Sequence, residues 1–495
     1  MATPTLVQAV ATGMSSFTHG YVFNYGAPNN DDCNTWNMSL PNNTLASNLL
    51  VVVILSTEPT AGAWGVTDNK SNTWTSGPTY TDTTNGNLIS AFYCAGSTAG
   101  VNLLTFTLTS SGTAQGVCAL FSEWYNVATS AALDGSNHNN GTSASWTAGS
   151  ITPTVSGDLL LSFAEQVTAA DPWNQTMTAM TGGTWSLLQA TRGIGYASQF
   201  EVYNSTTAIN PTITAGASTG FIALCMAFKS AAAGTAPTAV PRVVARHTFF
   251  VDSTSSVVEQ VPCFGNLLVA CWDGYADSTT SNTVSLADSH SNTWTSRGSS
   301  ASPGSTPGTI QILDTDAATT TVGGTTTITI TVSGNAAYEC MLRVHDIQAP
   351  LSSGNFDSTA GAQTASGTQT TFANLATVSI TPTTSNGLVI TAVQIGYGTL
   401  SGLVSPPAGS FSDISVIPVD TSWATTDSLD ENNGWGHTYN TGVSPITYTW
   451  ACNQYLTDAI GPWSSMAAAY KGTAAIIPEI AEYPFPGFPQ TLLAM

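Results

Sequence analysis

The chain has 495 residues, 42% hydrophobic and only 7% charged, with 8 Lys+Arg against 29 Asp+Glu and a formal net charge of −21. So few cations cannot form the phosphate-neutralising patch that nucleic acid requires, and the length exceeds that of one ordinary domain. The 13 Trp, 15 Tyr and 17 Phe argue against a disordered chain.

The N-terminal decapeptide MATPTLVQAV has no cationic segment and no long apolar one, so no secretory signal is expected there. Residues 49–55 (LLVVVIL) form an unbroken apolar run, a length suited to a buried strand and far short of the ~20 residues of a membrane-spanning helix. Residues 68–72 read as a hairpin turn, because Asx side chains can bond their own backbone there. Residues 103–109 (LLTFTLT) and 325–332 (TTTITITV) alternate with period two, one face for a core and one for water. Gly, Asn, Asp, Ser and Pro fill the gaps between such runs, and no stretch has helical periodicity. The fold class expected is therefore all-β, with tandem antiparallel β-sandwiches of jelly-roll or immunoglobulin-like type.

Self-comparison shows a duplication. NLLV at 48–51 recurs at 266–269, and VTDNKSNTWT at 66–75 recurs as LADSHSNTWT at 286–295. ITPT stands at 151–154 and again at 380–383, while MAFK at 226–229 is answered by AAYK at 468–471. The expected copies are 1–231 and 242–472, joined by a small-residue, proline-punctuated linker at 232–241. A fainter echo inside the first copy pairs Leu49, Leu50 and Trp74 with Leu159, Leu160 and Trp185, which suggests halves at 1–128 and 140–231. In the second copy LVI at 388–390 is present, but no Thr-Trp follows it.

The order NLLV, VTDxxxNTWT, EWYNV at 123–127, ALD at 132–134, TPT at 152–154, GDLL at 157–160 and a closing AFK resembles a family of β-sandwich modules. Such modules occur in large extracellular bacterial proteins and in some phage-borne structural proteins. The resemblance covers the first copy well and the second in part, since VHD at 344–346 replaces EWY. It implies a β-sandwich with a surface or assembly role and supplies no catalytic residues.

Few constellations suggest chemistry. GASTG at 216–220 matches the nucleophile-elbow pattern, but it joins two strands where that chemistry needs a strand and a helix, so a hairpin turn is expected. The eight cysteines show no zinc spacing and read as small buried hydrophobes, with disulfides as the alternative. The six histidines are scattered and read as surface or turn residues. Two acidic loops offer oxygens to Ca2+, one through Asp31 and Asp32, the other through Asp427, Asp430 and Glu431, though neither has EF-hand spacing and solvated loops are the default. No other cofactor is expected. Trp435, His437 and Tyr439, beside Asn and Asp, have the residue types of a glycan-binding site, though a place in a sandwich core or interface is the default. Six Asn-x-Ser/Thr sequons, Asn42 among them, all lie in the first copy.

After Lys471 the character changes. Pro478, Pro484, Pro486 and Pro489 favour an extended course over residues 473–495. Ile476, Ile477, Tyr483, Phe485, Phe488, Leu492 and Leu493 carry much apolar surface, which suggests an arm that docks on a neighbouring subunit or folds back over its own sandwich. The expectation is a non-enzymatic structural protein of a virion or of an extracellular filament, coat or cell surface. It would self-assemble as a homo-oligomer, alone or with other coat or virion proteins, and bind no nucleic acid. The second reading is an adhesive protein that binds surface glycans.

Overall fold

The computed structural model describes residues 2–14, 35–57, 63–82, 87–108, 115–167, 179–181, 185–191, 196–238, 241–251, 255–274, 282–301, 309–316, 324–333, 340–351, 353–368, 377–396, 399–403, 412–418, 431–440, 442–453 and 462–472. Among them every regular element is a strand.

The strands fall into four modules. The first holds β1 (Thr5–Met14), β2 (Thr35–Ser39), β3 (Leu49–Thr57), β4 (Trp64–Asp68), β5 (Thr75–Asp82), β6 (Asn87–Cys94), β7 (Leu103–Leu108) and β8 (Gln115–Tyr125). Lettered a to h in chain order, they form a five-stranded sheet a-h-c-f-e and a three-stranded sheet b-g-d. This is the two-Greek-key order of a jelly roll, with e moved onto the larger sheet. The third module repeats it with β15 (Arg242–Val251), β16 (Ser256–Cys263), β17 (Leu267–Gly274), β18 (Thr283–Asp288), β19 (Thr295–Ala301), β20 (Thr309–Asp314), β21 (Gly324–Ser333) and β22 (Cys340–Gln348).

The fourth module does so with β23 (Ala362–Thr368), β24 (Thr377–Ile380), β25 (Leu388–Gly396), β26 (Thr399–Leu403), β27 (Ser412–Pro418), β28 (Glu431–Tyr439), β29 (Ile446–Asn453) and β30 (Pro462–Tyr470). In the second module a and b merge into β9 (Leu133–Thr147), and g and h merge into β14 (Thr212–Phe228). Strands β10 (Asp158–Gln166), β11 (Ala179–Thr181), β12 (Ser186–Thr191) and β13 (Tyr196–Tyr203) then stand at c, d, e and f.

Two expectations of hairpins are corrected here. β4 pairs with β7 and β5 with β6, so residues 69–74 turn a corner between the two sheets. The GASTG segment likewise lies inside the continuous β14, where the β9 register shifts between Thr214 and Thr219 as the pair crosses from the small sheet to the large one.

The modules are fused rather than strung like beads. β1 and β15, both a strands, pair in parallel through Ala9↔Ala245 and Val10↔Arg246, which joins the first and third large sheets into one of ten strands. The strand order mirrors across this joint while the joined strands run parallel. For two modules of the same hand, that requires a rotation axis along the strands, so their small sheets cover opposite faces of the ten-stranded sheet. The second module packs on the remaining face of the first, where β14 meets β6, and the fourth packs on the third, where β20 meets β25 and β30. Each thereby lies beside a small sheet of the other half, β12 against β16 and β27 against β2.

The c strands show why their sequences are almost wholly apolar. Leu50, Val52 and Ile54 face the core of the first module, while Leu49, Val51, Val53 and Leu55 enter a core shared by all four. Strands β10, β17 and β25 divide their residues in the same way. A strand buried on both faces loses the polar/apolar alternation of a half-exposed one.

Candidate functional site: the junction between modules

The paired turns come first because they carry the strongest sequence repeat. Asp68 Oδ1 accepts the backbone N–H groups of Lys70 (2.7 Å) and Asn72 (3.3 Å), and Oδ2 accepts Asn72 Nδ2 (3.0 Å) and Trp74 Nε1 (2.8 Å). Asp288 repeats the set with His290, Asn292 and Trp294, at 3.0, 3.1, 2.9 and 2.9 Å. Ser71 (φ 56°) and Ser291 (φ 59°) take the left-handed conformation that closes each turn. The motif is thus a structural clasp.

A second pair of carboxyls lies in the interior. Glu123 accepts Gln8 Nε2 (2.7 Å) on one oxygen and Leu45 N (2.8 Å) and Asn48 Nδ2 (2.7 Å) on the other. Its counterpart Asp346 accepts Phe264 N (2.6 Å) and Gly265 N (2.9 Å). Burial pushes both carboxyls up to about 7, against these hydrogen bonds and the charge of Arg242. Arg242 therefore stands within electrostatic reach of one carboxyl from each half, and its Nη1 donates to Val7 O across the β1–β15 joint. Asn48 also receives the linker, since Thr235 N donates to its Oδ1 at 2.7 Å.

A chain of hydrogen bonds continues from Gln8 across three modules. Asn42 N donates to Gln8 Oε1 (2.9 Å), Tyr439 Oη donates to Asn42 Oδ1 (2.6 Å), and Val243 N donates to Tyr439 Oη (2.8 Å). His437 Nε2 lies 2.8 Å from Pro41 O, and its ring meets that of His345 edge-on at 6.1 Å. Trp435 lies under the Arg343 guanidinium, 4.6 Å from Cζ to the ring centroid. Burial drives His437 down to about 3 and Arg343 down to about 10, so the imidazole is neutral in this setting. Trp435 and His437 are fully buried. The junction with the first and third modules covers both rings, in keeping with the core or interface place expected of them.

The view of the histidines is corrected as well, because His345 and His437 are buried at this junction and His247 is buried in β15. Arg297 adds a fork on Asp314 through Nε (2.7 Å) and Nη2 (2.6 Å) and lies 4.1 Å over the Phe356 ring, while Tyr470 Oη donates to Asp314 Oδ2 at 3.0 Å. Four of the chain's five arginines thus sit where modules meet, a placement that no local sequence signal announced. In the second module Asp134 accepts from Thr154 N and Oγ1, as Asp357 accepts from Thr383 in the fourth, which accounts for the repeated TPT.

Cys94, Cys118, Cys225, Cys263 and Cys271 are buried free thiols. Among the described residues no group of three or more His, Cys, Asp or Glu is placed to hold a metal, and no helix is long and apolar enough to cross a membrane. The Ca2+ candidates Asp31, Asp32, Asp427 and Asp430 lie outside the described residues; Glu431 begins β28, and its side chain is not described. The arm residues Ile476, Ile477, Tyr483, Phe485, Phe488, Leu492 and Leu493 lie outside them as well. No family model matches the chain, and no curated protein matches it.

Proposed function

We propose that the chain is a non-enzymatic structural protein that self-associates, as a building block of a virion (capsid, decoration, tail or fibre) or of an extracellular filament or coat. The observation that carries this reading is where the ionisable groups sit. Arg242, Arg246, Arg297 and Arg343, with Glu123, Asp314 and Asp346, are buried or half-buried between and within modules, where they act as clasps. Among the described residues most of what is exposed is Ser, Thr, Asn and Gly, which can be packed against copies of itself with little charge desolvation. Residues 473–495 are the candidate assembly arm.

Electron microscopy and sedimentation velocity of the purified full chain test the reading. Regular particles or fibres are expected, and removal of 473–495 should weaken them. A chain that stays monomeric at high concentration and binds a glycan array would replace this reading with the adhesive one.

A further inference from the structure

The free edges of the four large sheets are not alike. At three of the four e edges the pairing is bulged, β5 on β6 between Ser76 and Thr79, β12 on β13 between Leu187 and Gln189, and β19 on β20 between Ser296 and Gly298, while β27 pairs with β28 without a shift. β5 also contains Pro78, and β27 ends in Pro418. Bulges, prolines and cations are the usual devices that keep a sheet edge from pairing with another chain.

The a edges β9 and β23 carry neither proline nor cation, and the pairing of β9 shifts only at its ends, between Leu133 and Gly135 and between Ser143 and Ser145. β9 pairs with β14 without a shift from Gly135↔Ala227 to Ser143↔Thr219, and β23 pairs with β30 without a shift over its whole length. Neither strand contains Lys, Arg or Pro, and β23 contains no charged residue at all. Among the described residues β9 pairs as a strand only with β14 and β23 only with β30, and the neighbouring e strands reach them through side chains, Tyr80 Oη donating to Asn140 Oδ1 and Ser300 Oγ to Ala365 O. The other two a edges, β1 and β15, are occupied by each other. The a edge of this module is therefore shown, inside the chain, to accept the a edge of another module in parallel. The exposed large hydrophobics among the described residues, Leu103, Val258, Leu351 and Val443, are spread over the chain and make no rival apolar patch.

We infer that β9 and β23 are docking edges for a second copy of this chain, β9 of one copy lying parallel beside β23 of the next, as β1 lies beside β15 within one copy. The inference rests on the self-association reading above and names the surface that performs it. Because the two edges belong to different halves, the contact is head-to-tail and builds either a ring or a continuing filament.

Lysine guards on exposed side chains test it without touching the core: S136K with T142K on β9, and Q363K with S366K on β23. A control pair, T206K with A208K, adds the same charge on an exposed loop. On a chain of net charge −21 added lysines relieve repulsion, so the control should associate as well as the parent or better. Either edge pair should reduce the associated fraction by tenfold or more in sedimentation velocity. Hydrogen exchange of the parent should show amides in 135–143 and 362–368 gaining protection on association. Edge variants that associate like the parent overturn the inference while leaving the self-association reading in place. Amides of both edges already protected in the monomer also overturn it, since another segment would then cover them. A parent chain that never associates overturns both readings together.

Discussion

Tyr439 donates its phenol to Asn42 Oδ1 at 2.6 Å, a bond between residues 397 apart in sequence and in different halves of the molecule. The phenol oxygen of Tyr439 also accepts Val243 N at 2.8 Å, so one hydroxyl joins three modules. Tyr439→Phe leaves the Asn42 carbonyl and the Val243 amide short of a partner in a part-buried place. We expect a loss of about 1–3 kcal/mol in urea denaturation. A change below the error of the measurement would show that the junction does not depend on this bond.

The two clasps should cost alike. Asp68→Ala and Asp288→Ala each remove the acceptor of four hydrogen bonds, including those of Trp74 Nε1 and Trp294 Nε1. Each should destabilise by roughly 1–3 kcal/mol, and the two losses should add in the double variant, because the turns belong to separate modules. Thermal denaturation of the two singles and the double gives the comparison.

Stability should peak in mildly acidic solution. Burial holds Glu123, Asp158 and Asp346 protonated up to about 7 and Glu165 up to about 8. Unfolded, these groups lose their protons near 4. Between those limits the folded state keeps protons that the unfolded state has released, so stability falls as pH rises. His247 and His437, driven down to about 3, act in the opposite sense and remove stability as pH drops below 6.5. Asp134, Asp316 and Asp357 are held below the ordinary carboxylate value and add to the loss in stronger acid. The midpoint of thermal unfolding should therefore be highest at about pH 5 and lower at pH 8. Glu165→Gln should flatten the alkaline limb. A midpoint that climbs steadily from pH 5 to pH 8 would contradict this account.

Thiol chemistry offers a fourth check. Burial raises the thiols of Cys94, Cys225, Cys263 and Cys271, with Cys94 pushed up to about 11 and Cys271 to about 12. An alkylating reagent needs the thiolate and access to it, so these positions and the buried Cys118 should stay unmodified in the native protein. Peptide mapping should find all five labelled once the chain is unfolded in urea. Rapid native labelling of any of them would place that strand at the surface.

Local patterns made the strands and the clasps legible. Alternation in residues 103–108 marks a half-exposed strand, and the unbroken run 49–55 marks one buried on both faces. The repeated DxxxNTW reports a turn whose hydrogen bonds close within seven residues, so its chemistry travels with the sequence. Where the two flanking strands pair is not a local property. Residues 69–74 read as a hairpin, yet β4 and β5 belong to different sheets because each finds a better partner far along the chain.

The sequence by itself determined an all-β chain with a recurring turn, since period-two patterning and Asx chemistry act over a few residues. Only the tertiary structure decided what its rare charges and ring systems do. Trp435, His437 and Tyr439 have the composition of a sugar site, and Arg242, Arg246 and Arg343 that of surface cations, until the parallel joining of β1 and β15 sets the small sheets of the two halves on opposite faces of one sheet and the modules close over them. That joint is a backbone pairing between residues more than two hundred positions apart, and backbone hydrogen bonds carry no side-chain signature from which it could be read.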